Sequence, residues 1–511
     1  MRPETAGDGD WARELARASP QRRFAMDEPD GWCYEERRGA CGAAFERQLR
    51  NHGMSGALFT DLISSITERG RRLLGRPAVA AADGNDAAAL VELCEQLLSR
   101  RGEASGTALA SEVLQRYERL DSAGKLALFE ALATRFGPDR DRLDALIEAW
   151  RSEPSDETAG DVHFYSEPRR QELFRRLNRA PGGTTGLVGM RADLLGLLRD
   201  HPQLATVDRD FAHLLGSWFN RGFLVLRRID WSTPAIVLEK IIRYEAVHEI
   251  HDFHDLRRRI DPTDRRCYGF FHPALIDEPL IFVEVALTET IPDAIAPLLS
   301  EERRTVPLSQ ARTAAFYSIS NCQKGLAGIS FGNFLIKQVV EELRRELPKL
   351  DTFVTLSPVP GFMRWLDKNA EGVLSEDELR TVHDVAQGAA IDADASEKLR
   401  RVLEPAAAAY FLKAKRADGR PIDSVARFHL GNGARLERIN WFGDRSAKGL
   451  RDSVGLMVNY LYDLDHIEEN HEIYANHAEI VASNAVRKLL RGEPRPAAPL
   501  LKSLGVARSG A

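Results

Sequence analysis

From about Ser55 to Arg179 the apolar residues recur mainly at three- and four-residue spacings, with Arg and Glu between them. That is the period of amphipathic helices. Leu73, Leu90, Leu97, Leu98, Leu114, Leu120, Leu126, Leu128, Leu132, Leu143, Leu146 and Trp150 mark the inward faces. Ala-Ala-Asp-Gly-Asn at 81–85, Gly137-Pro138 and Ser152–Gly160 break the run into separate segments. The pattern predicts a helical bundle, and nothing in it gathers groups that look chemical. Residues 1 to about 30 are polar and are expected to be disordered.

Near Trp218 the period shortens. Phe223-Leu-Val-Leu-Arg, Leu280–Leu287 and Ala314–Ser320 are β-branched or aromatic runs, mostly bounded by Gly, Pro or Asn, and read as strands. After Ser320 comes a loop over 321–332. A helix from about Asn333 to Leu347 follows, with Leu335, Ile336, Val339, Val340, Leu343 and Leu347 on one face. Phe353–Leu356 is then a short strand closed by Ser357-Pro358. A helical crossover of this length joins parallel strands, so the loop and Ser357 should open onto one sheet edge, where α/β ligands sit. A second helical stretch, about Leu366 to Lys415, interrupts the sheet. Ala426–Leu430 and Ala434–Trp441, joined by Gly431-Asn432-Gly433, read as a hairpin.

A chain of 511 residues exceeds one hydrophobic core and implies at least two domains. The expected division is a disordered segment over 1–30, a helical bundle over 31–215 that serves oligomerisation, and a catalytic domain over 216–505. With 43% hydrophobic and 29% charged residues the composition is that of a soluble globular protein. A net charge of −6 gives no basic footprint for nucleic acid. No apolar run reaches the ~20 residues of a membrane helix. No secretory signal opens the chain and no peroxisomal tripeptide ends it. Five scattered cysteines, Cys33, Cys41, Cys94, Cys267 and Cys322, form no Cys-x-x-Cys pair. They suggest reduced thiols, a cytoplasmic location and no zinc site.

Gln323-Lys-Gly-Leu-Ala-Gly-Ile-Ser-Phe-Gly332 puts three glycines between a strand and a helix start. Such a turn can aim backbone N–H groups at an anion, aided by the helix dipole. It lacks the Gly-Lys-Ser/Thr of a nucleotide P-loop and does not fit the dinucleotide fingerprint. Taken alone it is a weak signal, because glycine turns before helices are often only turns. Two decoys carry less. His248, His251 and His254 with Glu249 depart from the four-residue spacing that aims two histidines at one zinc, and read as packing and surface residues. Asp367 to Glu378 comes close to a calcium loop, but has Glu at the fifth position and no partner loop. A helix-capping turn explains it better.

Ordered segments from about Trp218 to Tyr462 carry a resemblance. They are Trp218-Phe219 with Gly222-Phe223, Arg265–Tyr268, Glu278–Leu280, Phe316–Ser320, Gly325-Leu326 through Phe334–Lys337, Leu356–Phe362, Phe428-His-Leu430, Arg438–Trp441, and Gly455–Met457 with Asn459-Tyr460. Together they resemble the catalytic domain of malonyl-CoA decarboxylases, which belongs to the GNAT acetyltransferase superfamily. The fold this implies is α+β, an all-helical N-terminal bundle followed by a GNAT-like mixed α/β catalytic domain with helical insertions.

The implied reaction converts malonyl-CoA to acetyl-CoA and carbon dioxide without metal or other cofactor, coenzyme A being part of the substrate. The resemblance maps the catalytic pair onto Ser357 and His429, and the loop holding the coenzyme A pyrophosphate onto Ala327, Gly328, Ile329, Ser330, Phe331, Gly332 and Asn333. Some relatives carry Glu where this chain has Ser330. Lys240 matches a lysine regarded as needed for activity, although an exposed helix lysine paired with Glu239 or Glu245 describes it equally well. Tyr460 and Tyr462 match a tyrosine-rich stretch that could support the site or simply pack. A homo-oligomer, dimer or tetramer, is also implied, with no nucleic-acid or membrane partner.

The chemistry suits such a pair. Loss of the carboxylate leaves an enolate on the thioester oxygen, which needs hydrogen-bond donors, and C2 then needs a proton. An imidazole can serve as oxyanion or proton donor, while a serine can face the carboxylate or the leaving carbon dioxide. Two alternatives compete: an acyl-CoA-dependent acyltransferase on the same fold, and a non-catalytic malonyl-CoA sensor.

Overall fold

The computed structural model describes residues 86–99, 102–329, 331, 335–370 and 374–490, besides Ser65 and Arg69. They fall within one compact unit that begins at Ser64. The expectation of disorder over 1–30 lies outside the described residues, as do Ser330, Gly332 and Asn333.

Eight α-helices precede the first strand among the described residues: α1 (Ala87–Ser99), α2 (Glu103–Arg119), α3 (Ser122–Thr134), α4 (Arg140–Ser152), α5 (Asp156–Ser166), α6 (Arg169–Asn178), α7 (Gly183–Leu197) and α8 (Ala205–Trp218). Their starts follow local chemistry. The side chain of Asp121 accepts from the Gly124 N–H, and Ser155 forms a capping box with Thr158. The predicted stripes are largely the buried ones: Leu90, Leu97, Leu128 and Leu132 are each at most 1% exposed. Leu98, Leu126, Leu143 and Leu146 are half-buried, Trp150 faces solvent, and Leu73 lies outside the described residues.

A mixed sheet follows, and the architecture is α+β. Its strands are β1 (Val225–Ile229), β2 (Arg265–Phe271), β3 (Pro279–Thr288), β4 (Thr313–Asn321), β5 (Thr352–Thr355), β6 (Ser357–Pro358), β7 (Arg435–Asn440) and β8 (Met457–Leu461). The order is β1-β2-β3-β4-β5-β8-β6, with β7 also on β8. Strands β1 to β4 are antiparallel neighbours. β4 and β5 run parallel, in register Thr313↔Thr352 to Phe316↔Thr355, as the strand–loop–helix–strand order predicts. The crossover between them is helix α12 (Leu335–Glu346), after helices α9 (Ala235–Tyr244), α10 (Phe253–Ile260) and α11 (Ala296–Leu299) earlier in the chain. β5 and β6 pair with β8 in one continuing register, Val354↔Leu461, Ser357↔Val458 and Pro358↔Met457. The strand carrying the serine is therefore a single ladder interrupted only at Leu356.

Three helices, α13 (Phe362–Asn369), α14 (Glu376–Ala386) and α15 (Ala393–Leu412), make up the predicted insertion. Glu378, the last ligand position of the calcium-like pattern, instead closes a capping box with Ser375. Helix α16 (Ser424–Gly431) corrects the sequence reading, because His429 lies on a helix and not on the first strand of a hairpin. The five residues Ala426–Leu430 alternate apolar and polar as a strand would. Asp423 nevertheless caps a helix by accepting from the Ala426 N–H at 2.7 Å. Helices α17 (Ala447–Ser453), α18 (Ile467–His477) and α19 (Asn484–Leu489) complete the order. One apolar cluster runs from Leu90 and Phe211 in the helices through Val285, Val339 and Tyr462 to Val486. The helical and sheet portions thus share a core.

Candidate active site

Ser357 and His429 meet although 72 residues separate them. The register of β6 on β8 fixes the serine, while the Asp423 cap fixes the helix that carries the histidine. Ser357 Oγ lies 3.1 Å from His429 Nε2 and 2.9 Å from Thr355 Oγ1. On the other side of the ring, Nδ1 is 2.9 Å from the Tyr462 hydroxyl. The Tyr460 ring stacks on the imidazole at 4.6 Å and 23°. Ser357, His429, Thr355, Tyr460 and Tyr462 are each at most 5% exposed.

The hydrogen-bond partners give the pair a direction. Among the described residues Nδ1 is the hydrogen-bond partner recorded for the Tyr462 hydroxyl, and a buried O–H donor needs an acceptor. Tyr462 therefore donates to Nδ1, which leaves the ring hydrogen on Nε2, facing Ser357 Oγ. The serine hydroxyl passes its own hydrogen to Thr355 Oγ1, which also accepts from the Tyr460 N–H at 3.1 Å. Burial pushes the imidazole down to about 3, so the ring is neutral at neutral pH. Burial also raises the Tyr462 phenol well above its ordinary value, which keeps it a donor.

One hollow holds the pair and a second adjoins it. A small one of about 240 Å³ is lined by Ser357 and His429 with Val247, Phe316, Ile319, Leu356, Pro358, Val425 and Phe428, so its walls are mainly apolar. A larger one of about 530 Å³ is lined by the glycine turn, including Ala327, Gly328, Ile329 and Phe331, and by the cations Lys324 and Arg427. Asn321 and Phe428 line both hollows. A wider groove of about 860 Å³ on the helical half, beside Tyr117, Lys125 and Asp193, contains neither member of the pair.

Of the other sequence candidates, Tyr460 and Tyr462 touch the imidazole directly. Lys240 does not pair with Glu239 or Glu245. It is mostly buried on α9 and bridges to Glu278 at 2.7 Å and to the Asp277 carbonyl at 3.1 Å. Thr355, Asn321 and Phe428 were missed. Thr355 had a signal, since a strand residue two positions before Ser357 shares its face. In the zinc decoy His248 is buried while His251 and His254 face solvent. Among the described residues no group of three or more His, Cys, Asp or Glu is placed to hold a metal ion.

The sequence matches two domain families: the malonyl-CoA decarboxylase C-terminal domain over residues 222–499 and the malonyl-CoA decarboxylase N-terminal domain over 136–219. It is 34% identical over 459 residues to the mitochondrial malonyl-CoA decarboxylase of Mus musculus, covering 83% of this chain and 93% of the relative. Against the goose enzyme (Anser anser anser) it is 36% identical over 414 residues, covering 74% and 82%. A crystal structure of malonyl-CoA decarboxylase from Rhodopseudomonas palustris superposes with a TM-score of 0.76 at 59% identity. That match covers 79% of this chain and 99% of the other.

Proposed function

The chain belongs to the malonyl-CoA decarboxylase family and decarboxylates malonyl-CoA; on that premise we propose that Ser357 and His429 are its reacting pair and that the turn at 327–333 holds the coenzyme A pyrophosphate. The observation that carries the proposal is the shared wall. Asn321 and Phe428 border both the hollow of the pair and the hollow of the glycine turn, so the two are neighbours, and in this reading one substrate spans both. Lys324 and Arg427 supply positive charge where the phosphates would lie.

In this reading the malonyl group enters the small apolar hollow, where its carboxylate loses water and neutral carbon dioxide is favoured. The C2–carboxylate bond breaks and its electron pair moves onto the thioester oxygen. The neutral His429 ring donates its Nε2 hydrogen toward that oxygen, a role that needs no imidazolium. Ser357 faces the carboxylate and hands its hydrogen bond from Thr355 to the substrate. The proton for C2 comes from solvent that reaches the hollow as carbon dioxide leaves, because the buried Tyr462 phenol keeps its own.

Metal independence, a cytoplasmic location and a homo-oligomer formed through the helical bundle belong to the same reading, as does the division at about residue 216. Support for reduced surroundings comes from Cys94, Cys267 and Cys322, which are free and buried. Among the described residues no helix is long and apolar enough to cross a membrane. An assay of carbon dioxide release with no acyl acceptor, in the presence of a chelator, separates this reading from an acyltransferase. The pair itself is tested by His429→Asn, which should leave coenzyme A affinity within about threefold while lowering kcat on the order of 10²–10³-fold. A wild-type rate in that variant would refute the assignment.

A further inference from the structure

The glycine turn is gripped from the helical half of the molecule. Arg191, on α7 and 3% exposed, donates from Nη1 to the carbonyl oxygens of Gly325 at 2.7 Å and Ala327 at 2.9 Å. Its Nε donates to Asp208 Oδ1 on α8 at 2.8 Å. The same helix brings the Val188 carbonyl so close that a Cβ on Gly325 would stand 1.8 Å from its oxygen. The turn's backbone therefore rests directly on α7, with no room for a methyl group. Arg191 lines neither of the two hollows.

The N–H and C=O of a trans peptide unit point in opposite directions. Fixing the Ala327 carbonyl on the guanidinium therefore turns the Gly328 N–H the other way, and Gly328 lines the larger hollow. Gly328 itself sits at φ +76°, a conformation that its lack of a Cβ permits. A turn whose amides must meet an anion is preset by whatever holds its carbonyls, and presetting lowers the ordering cost of binding.

We propose that Arg191, held in place by Asp208, is a positioning residue for the substrate, presetting the glycine turn for the coenzyme A pyrophosphate. The inference rests on the reading of that turn given above. Its effect belongs to binding and not to bond cleavage, so it acts on KM and leaves kcat nearly unchanged.

The test compares malonyl-CoA with malonyl-pantetheine, which carries the same reacting thioester without the pyrophosphate. The wild type should prefer malonyl-CoA. Arg191→Met should lose roughly tenfold in kcat/KM on malonyl-CoA, through KM, and less than about twofold on malonyl-pantetheine. Arg191→Lys, a point donor able to reach one carbonyl, should recover part of the loss. If Arg191→Met does not fold, Asp208→Asn should show the same selective pattern with a smaller amplitude. Equal losses on both substrates would overturn the inference while leaving the turn as the pyrophosphate holder. A wild type that uses both substrates equally well would overturn that reading of the turn, and the inference with it.

Discussion

His429 is a neutral donor because water has been removed from around it. Its imidazole is held at about 3, against an ordinary value near 6.5, by burial alone. In the free enzyme it therefore contributes no ionisation between about pH 5 and 8, and kcat/KM should show no step near 6.5 attributable to this ring. A pH profile whose acid limb at 6–7 vanishes in His429→Asn would contradict that. The same shift has a sign for stability. Because the folded pKa is depressed, the unfolded chain takes up the proton first as the pH falls. The contribution is complete above about 6.5 and is lost toward 3, at up to about 1.4 kcal/mol per pH unit. Urea midpoints recorded from pH 7 to 4 should fall less steeply for His429→Asn than for the wild type. Tyr462→Phe removes the donor to Nδ1 and frees the ring to take the other tautomer. It should lower kcat by about tenfold with KM little changed, readable in steady-state rates.

The elements decide which residues the sequence could place. The parallel step from β4 to β5 was legible, because a glycine loop and an amphipathic helix between two apolar runs admit few other topologies. Ser357 at the end of that ladder was legible for the same reason. The helix under His429 was not, since five alternating residues satisfy a strand equally well. The deciding sign was the aspartate three residues before Ala426. β2 and β8 gave no clear signal either: Arg265 and Arg266 are charged yet almost fully buried, and local periodicity cannot anticipate their ion pairs with Asp264 and Glu346. Nor could spacing reveal that Lys240 would find Glu278 across the fold. At this scale Gly325→Ala is informative. The methyl group meets the Val188 carbonyl, so the variant should lose about 1–3 kcal/mol of stability and raise KM for malonyl-CoA. Thermal melts and initial rates would show both.

Across the whole molecule the continuity of the core matters most. Leu187 and Val188 of α7 belong to the same apolar cluster as Leu326 beside the glycine turn and Val339 of the crossover helix. The described residues should therefore unfold as one cooperative unit, and calorimetry should give a single endotherm for them. Two well-separated endotherms dividing near residue 220 would speak against this. Chelator should leave turnover within about twofold, since the chain's own donors carry the proposed chemistry; a loss restored by added metal would count against the proposed mechanism.

Phe428 and His429 are successive residues on one short helix, the first lining both hollows and the second carrying the donor nitrogen. In the proposed mechanism, wall and reagent are thus mounted on the same rigid post. Re-engineering the enzyme for bulkier acyl groups by trimming Phe428 would slacken the packing against the ring, so gains in substrate breadth would come with losses in speed. Trimming Val247 or Ile319, which belong to other elements and face the same hollow, would widen the chamber while leaving the post where it stands.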